Sequence, residues 1–307
     1  HTKNADEIAS MEEFLECFHL QLKAGAAEYM ALFRNENDRL NRKNYRQPFL
    51  SCLCNECIEK GLDINEGGTK YPSVHGPGCM GIGTVADSLA AIDQLVFMEK
   101  RVSLSRLRDA LAADFDGYEE LRQALLAAPK YGNNDDRADR YAVWYLDEHA
   151  ALFGDYRTPD GGRIYIAMAS NIQNISAGAE VAATPDGRRQ GEPLSDAASP
   201  MHGMDKKGPT STVLSTTKPD YTKAACGTVL NQKYSPAIFQ NPEKRAKLGS
   251  LIRVYFAKGG QEMQINSVSR QTLKDAMAHP ENYRSLVVRV SGFSAFYVTL
   301  DREVQED

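Results

Sequence analysis

The sequence has no excess of positive charge, no long apolar run and few cysteines, and each absence excludes a class of protein. Its net charge of -5 and pI of about 5.8 argue against a nucleic-acid partner, because phosphate binding needs a basic face. No run approaches the roughly 20 apolar residues of a membrane span, and the opening "HTKNADEIASMEEF" is polar and acidic. We therefore expect a cytoplasmic protein without a membrane partner.

The six cysteines are too sparse and unevenly spaced for a disulfide framework in a chain of 307 residues, which favours a reducing compartment. Cys52, Cys54 and Cys57 in "CLCNEC" offer three soft metal ligands. On one helix, however, Cys54 and Cys57 would be adjacent and Cys52 would point away. Core packing is therefore favoured over a metal site.

The composition is that of an ordinary globular protein, with 42% hydrophobic and 25% charged residues, and the length allows one large domain or two modest ones. The pattern predicts an integrated α/β unit with three parts. Residues 1–150 are mostly helical, residues 151–280 are loop-rich with strands alternating with helices, and residues 281–307 form a short C-terminal part.

Helical spacing of apolar residues and end signals predict several helices in the first part. They cover 11–33, 48–61, 84–102, 103–115 and 118–129, and a further helix ends at Gly154 after a loop starting at Lys130. In the later parts we expect helices near 209–218, 242–260 and 270–280, and strands at "EMQINSVS" and "SLVVRVSG".

The run "LVVRVSGFSAFYVTL", residues 286–300, has the Val, Phe and Tyr content of a buried strand but is interrupted by Ser291 and Gly292. A glycine inside a strand usually marks a bulge or a close approach of another backbone or a ligand. Taken alone, the Ser-Gly step is most simply a strand-end bulge.

Within this run, "RVSGFSAFYV" resembles the radical loop of the glycyl radical enzymes, which include pyruvate formate-lyase and the glycerol, choline and hydroxyproline lyases. Eight further blocks resemble the same family in the same order and cover nearly the whole chain: "DINEGGTKY", "GIGTVADSLAAI", "YEELRQALLAAPKYGNND", "ATPDGRRQGEPLSDAASPMHG", "KKGPTSTVLST", "GTVLNQKYSP", "LIRVYFAKGG" and "INSVSRQTLKDAMAHPENYRSLVVRVSG". The resemblance implies the C-terminal half of a ten-stranded α/β barrel, flanked by N-terminal helices.

The resemblance implies that Gly292 stores the radical. Only glycine lacks a side chain that would crowd a planar radical between the donating amide nitrogen and the withdrawing carbonyl, and its flexibility would let the loop leave the core. The implied activating enzyme is a radical S-adenosylmethionine protein, and both S-adenosylmethionine and the 4Fe-4S cluster belong to it. It would recognise the loop residues Arg289, Val290, Ser291, Phe293, Ser294 and Ala295.

In the family the radical passes from the glycine to a cysteine that lies farther upstream than this chain extends before Gly292. The resemblance therefore implies that the thiyl cysteine, with the acid/base glutamate of the dehydratases, comes from a partner chain or an N-terminal half. Cys79 in "HGPGCMGIG" is the tempting substitute, but its flanks match a block other than the cysteine loop. Cys226 is expected to be a small buried hydrophobe.

Two other groups of residues are candidates for the site. One group matches the family segment that passes under the substrate: Met168, Ala169, Ser170 and Asn171. Diol-cleaving relatives present an aromatic hydroxyl in this segment, and the smaller side chains here make glycerol a doubtful substrate. Plain barrel packing is an equal alternative for these residues. Asn231, Gln232 and Tyr234 of "NQKYSP" are expected to support the radical loop through polar contacts.

The pair Arg188 and Arg189 in "TPDGRR" suits either an anionic substrate group or backbone carbonyls, and the structural use is favoured. No other motif in the sequence requires a ligand, and no metal is expected.

The sequence thus predicts the radical-bearing component of a glycyl radical lyase in an anaerobic organism. Its reaction would be cleavage of a C–O, C–N, C–S or C–C bond in a small substrate, begun by hydrogen abstraction. We expect a two-component enzyme, such as a heterodimer, that is inactive without the cysteine-bearing partner; a microcompartment location stays open. The alternative is a spare-part radical carrier that repairs an oxygen-damaged enzyme, although such parts are much shorter. A third, weaker option is a scaffold without a radical.

Overall fold

The computed structural model describes residues 2–36, 44–169, 172–290 and 292–306. Its helices are α1 Met11–Glu36, α2 Pro48–Leu53, α3 Cys57–Lys60, α4 Ile82–Ile92, α5 Leu104–Ala112, α6 Glu119–Ala127, α7 Asp136–Gly154, α8 Gln173–Glu180, α9 Pro209–Thr216, α10 Ala237–Gln240, α11 Pro242–Ala257, α12 Arg270–Ala278 and α13 Arg302–Glu306. Its strands are β1 Val229–Lys233, β2 Glu262–Asn266, β3 Val287–Val290 and β4 Phe293–Phe296.

Helix α4 is the centre of the hydrophobic core. Small side chains such as Ala86 and Ala91 are completely buried and let α7 pack closely against it. The helix then continues as a π-helix over Asp93–Met98. The main apolar cluster joins residues from Met11 to Ala224, so it spans the first two sequence parts as one core.

The predicted single helix over 48–61 is wrong. The backbone breaks at Glu56, which adopts a left-handed φ of 74°, and this separates α2 from α3. Cys57 is buried, Cys52 is exposed, and Cys54 is intermediate. Among the described residues, no group of three or more His, Cys, Asp or Glu side chains is placed to hold a metal ion.

Helix α7 is longer than the sequence suggested. Part of the stretch from Lys130 that was assigned to a loop is helical, because Asp135 caps the helix by accepting a hydrogen bond from the Arg137 backbone N–H. Asp135 is thus the signal at which the helix begins.

Four extended segments lie side by side in parallel. Residues 75–78 bridge to 164–167, Met168 bridges to Thr228, and β1 pairs with β2 along its whole length. On one face of the last two strands, Leu230 and Met263 pack with α9 and α11 around Val213 and Tyr255. The opposite face carries Asn231 and Gln264, which are direct partners in the β1–β2 register.

The C-terminal run forms an antiparallel hairpin rather than one buried strand. Val290 pairs with Phe293, so β3 and β4 are joined by a two-residue connection. The expected burial is wrong, because Val287, Phe293 and Phe296 are each about half exposed in this chain. No helix in the described ranges is both long and apolar enough to span a bilayer.

Candidate functional site

Gly292 lies at the tip of the hairpin, directly before β4. Its φ of 91° falls in the left-handed region that glycine adopts without strain, which explains the glycine in the middle of a strand-like run. The residue is exposed in this chain. Its backbone N–H donates a hydrogen bond of 3.0 Å to Oε1 of Gln264, so the tip is fastened to β2 by a side chain.

The Gln264 side chain belongs to a chain of hydrogen-bonded polar groups that ends at the buried Asp196. Its Nε2 donates to Oδ1 of Asn231 at 2.7 Å, and Nδ2 of Asn231 donates to Oδ2 of Asp196. The Asn231 backbone N–H also donates to the Ser199 hydroxyl at 2.9 Å, which ties β1 to the loop that carries Asp196. The tip of the hairpin is thus connected through two amides to a buried carboxylate.

Asn266 forms a second attachment of the hairpin to β2. Its Nδ2 donates to the Arg289 carbonyl at 2.6 Å, and its Oδ1 accepts from the Arg289 N–H at 3.0 Å. Because residues two apart in a strand share a face, Gln264 and Asn266 reach the hairpin together. Three side-chain-to-backbone hydrogen bonds therefore hold the loop in place.

A cavity of about 930 Å³ lies between the ends of β1 and β2, helix α12, the hairpin and the C-terminal residues. Asp196, Asn231 and Gln264 line one side of it, and Arg289 and Val290 line another. The polar chain described above therefore borders an open space beside the hairpin tip.

The predicted loop residues surround Gly292 on both strands. Arg289 and Ser294 are cross-strand partners, and Nη1 of Arg289 donates to the Ser294 hydroxyl at 3.3 Å. Phe293 is 45% exposed, whereas Val290 and Ala295 are intermediate. Ser291 lies outside the described residues.

Of the three predicted loop supports, Asn231 is linked to Gly292 indirectly, through Gln264. Gln232 lies on the other face of β1, where its Oε1 accepts from the Tyr234 hydroxyl at 3.1 Å. The Tyr234 backbone N–H donates to the Asn266 carbonyl at 2.9 Å, which holds the ends of the two strands together. In the described structure, the direct side-chain contact to the Gly292 backbone comes from Gln264.

The two described candidates for a substrate wall, Met168 and Ala169, lie on different faces. Met168 is completely buried in the main core together with Ile164 and Ile166, which favours the packing role for its side chain. Ala169 lies on the alternate face and is intermediate in exposure. Ser170 and Asn171 lie outside the described residues.

Arg188 has the structural use that was favoured for it. It is 3% exposed, and its guanidinium donates to five carbonyl oxygens between residues 178 and 192, those of Gly178, Val181, Ala182, Arg189 and Glu192. Arg189 instead pairs with the Glu119 carboxylate at 2.9 Å.

Neither Cys79 nor Cys226 lines the cavity beside the hairpin. Cys79 is 2% exposed, and its backbone N–H donates to the Ala167 carbonyl of the neighbouring segment. Cys79 therefore lies three strand spacings from β2, a distance on the order of 10 Å or more. Burial raises the pKa of the Cys79 thiol to about 12. Cys226 is intermediate in exposure, and burial raises the pKa of its thiol as well. Both pKa shifts suit packed thiols, although Cys226 is less buried than the sequence predicted.

Sequence reasoning missed Gln264, Asn266 and Asp196. A signal for the first two was present in "EMQIN", where Met263 and Ile265 alternate with two amides, so that a strand with one apolar face carries amides on the other. Asp196 stands in an irregular loop, where no periodicity marks a buried side chain.

Comparisons with known proteins agree with this arrangement. A family model described as "Pyruvate formate lyase-like" matches residues 1–178, and one described as "Glycine radical" matches residues 194–298. The chain is 42% identical to the probable dehydratase YbiW of Escherichia coli over 88% of its own length. It is 34% identical to the trans-4-hydroxy-L-proline dehydratase of Clostridioides difficile over 100% of its length.

Solved structures show the same relationship. The glycerol-bound form of the B12-independent glycerol dehydratase from Clostridium butyricum superposes with a TM-score of 0.96 at 33% identity, covering 99% of this chain and 38% of that one. The chain spans 34% and 38% of the lengths of the two curated relatives named above. The α/β fold is that of the corresponding part of the barrel in these enzymes, and the chain belongs to the pyruvate formate-lyase-like family of glycyl radical enzymes.

Proposed function

We propose that this chain is the radical-bearing part of a glycyl radical lyase and that Gly292 carries the radical. The observation that supports this most directly is the position of Gly292, at a hairpin tip with a positive φ, inside the segment that matches the glycine radical family. Its α-carbon carries no side chain that would crowd a planar radical, and its amide is hydrogen-bonded to Gln264.

Two hydrogen-atom transfers make up the proposed start of the reaction. The activating enzyme, a radical S-adenosylmethionine protein, removes one hydrogen atom from the Gly292 α-carbon, and the adenosyl group of the reductively cleaved S-adenosylmethionine accepts it. A cysteine S–H then gives its hydrogen atom to that α-carbon, which becomes CH₂ again and leaves the unpaired electron on sulfur. The sulfur radical in turn takes a hydrogen atom from the substrate.

The cysteine is proposed to come from outside the 307 residues, on a partner chain or on a further part of the same protein. The cavity of about 930 Å³ beside the hairpin is the space in which its sulfur would approach Gly292. A large interface is supported by exposed apolar side chains between residues 45 and 74, among them Phe49 at 78%, Leu53 at 69% and Tyr71 at 73% exposure.

The reaction class is proposed to be radical elimination of a leaving group from a small substrate. Its relatives include dehydratases of trans-4-hydroxy-L-proline and (2S)-3-sulfopropanediol and isethionate sulfite-lyases. These names support the class and leave the substrate of this protein open.

The test is anaerobic treatment with the matching activase, followed by electron paramagnetic resonance. We expect a doublet, because the unpaired electron couples to the one remaining α-hydrogen of Gly292; a silent spectrum would refute the proposal.

Copurification then addresses the partner. A fixed one-to-one partner that carries a cysteine loop supports the two-component enzyme, whereas activity gained only by a cleaved, oxygen-damaged enzyme supports the radical carrier.

A further inference from the structure

We propose that Asp196 and Asn231 fix the orientation of the Gln264 side-chain amide, and that Gln264, so oriented, is a positioning residue that holds the Gly292 loop and adjusts the spin distribution of its radical. The part that concerns the spin rests on the function proposed above. The part that concerns the loop position does not.

The chain of hydrogen bonds has two ends of fixed character. The Gly292 backbone N–H can only donate, and the Asp196 carboxylate oxygen accepts from Asn231. Between them, each amide has one arrangement that satisfies both neighbours. Asn231 must turn its NH₂ to the carboxylate and its oxygen to Gln264, and Gln264 must then present its oxygen to Gly292.

Burial makes the reversed arrangement unfavourable. Asp196 is 9% exposed and Gln264 is 8% exposed, so water can hardly replace the hydrogen bonds of these two side chains. If Gln264 were reversed, its NH₂ would face the Gly292 N–H, and two donors would meet in a part-buried setting. The carboxylate therefore acts on the loop through two residues without touching it.

The same hydrogen bond has an electronic consequence. An acceptor on the Gly292 N–H increases the electron donation of the amide nitrogen to the adjacent α-carbon. In a planar radical this moves spin density from the α-carbon to the nitrogen. Loss of the acceptor should return spin to the α-carbon and widen the splitting caused by the remaining α-hydrogen.

Hydrogen exchange of the hairpin, measured by mass spectrometry on the intact protein that carries this chain, tests the hold without any radical. We expect Gln264→Met, which keeps the length but removes the acceptor, to raise exchange at Gly292 about fivefold, the factor that corresponds to the net effect of one hydrogen bond. Asn231→Leu should raise it similarly, although Asn231 does not touch the hairpin tip. Asp196→Asn should raise it about twofold, because both amide orientations become available.

The matched control is Gln261→Glu, an amide change near the start of β2 whose Nε2 donates to the Tyr221 carbonyl, away from the hairpin. It should leave hairpin exchange unchanged, and unaltered exchange in α7 shows for each variant that the fold persists. Unchanged hairpin exchange in Gln264→Met would overturn the proposed hold. A rise in Gln264→Met with none in Asn231→Leu would overturn the relay.

Paramagnetic resonance of the activated protein measures the width of the Gly292 doublet, which would not change if Gln264 had only a structural role. The doublet should be wider in Gln264→Met and return to its original width in Gln264→Glu, because the carboxylate restores an acceptor. Equal splitting in the unaltered protein and Gln264→Met would overturn the electronic part. If no variant and no unaltered protein gives a doublet, the proposed function fails, while the exchange results still decide the relay.

Discussion

Val290 and Phe293 are directly paired across the C-terminal hairpin, which leaves only Ser291 and Gly292 to connect its strands. The second connecting residue has a φ of 91°, a conformation that glycine adopts readily and other residues adopt at a cost. The conformation therefore favours glycine at position 292, and the proposed radical chemistry needs glycine there for an independent reason.

Gly292→Ala should abolish the radical signal and loosen the hairpin locally. A side chain at this φ introduces about 1–2 kcal/mol of strain, while the hairpin is so exposed that the main core should not respond. The measurements are paramagnetic resonance after activation and the free energy of unfolding from a denaturant titration. A persistent doublet in this variant would contradict the assignment of Gly292.

The matched control is Gly161→Ala. Gly161 has a φ of 88° in an exposed turn, with nothing within 4 Å of an added Cβ. It should show comparable strain with a normal doublet, which separates the effect of strain from the loss of the radical site.

Exposure of the activated protein to air should cut the chain at Gly292. Dioxygen adds to a carbon-centred radical, and Gly292 is exposed in this chain. Mass spectrometry should find a new fragment that ends next to Gly292 only after both activation and air. Cleavage in protein that was never activated would point to ordinary proteolysis instead.

The sequence predicted a radical loop in residues 286–300 but not its geometry, because the turn is short. A two-residue connection hardly disturbs the strand-like composition of "LVVRVSGFSAFYVTL", so one interrupted strand and a hairpin look alike. Helices α9, α11 and α12 follow from end signals and spacing, whereas the first part of α7 was assigned to a loop. The break at Glu56 could not be foreseen, because a left-handed glutamate has no local sequence signal.

The candidate site, like the fold, could be predicted only in part from the sequence. Asn231 was predicted because it stands in a recognisable block, but its effect on the loop passes through Gln264, which is near it only through strand pairing. Asp196 joins them from a loop 35 residues away in sequence. Contacts of this kind depend on tertiary structure, and a single sequence does not encode them as a local pattern.

Arg188→Lys should destabilise the protein by about 2–4 kcal/mol, because an ammonium group cannot serve the carbonyl oxygens that the planar guanidinium reaches, and buried acceptors are left unpaired. Arg189→Lys is the control: its pair with Glu119 is partly exposed and contributes about 1 kcal/mol or less. Denaturant unfolding of both variants measures the difference. Equal losses would show that the turn does not depend on the buried guanidinium.

Cys79 should stay a thiol and resist alkylation up to strongly alkaline pH. Burial raises the pKa of its thiol from an ordinary value near 9 to about 12, so the folded state disfavours the thiolate. Native labelling with iodoacetamide at pH 8 should modify the exposed Cys52 well before the buried Cys79, as mass spectrometry can show. Rapid native labelling of Cys79 would contradict its burial.

The same shift has a defined sign for stability. Because the folded pKa is the higher one, the contribution of the buried thiol is fully present below pH 9 and is lost as the pH rises from 9 towards 12. Cys79→Ala removes this titration, so its loss of unfolding free energy between pH 8 and pH 11 should be smaller than that of the unaltered protein.

Because Cys79 is packed in the core and away from β2, the variant should still give the Gly292 doublet after activation. Loss of the doublet in a folded Cys79→Ala protein would instead make Cys79 a member of the radical path.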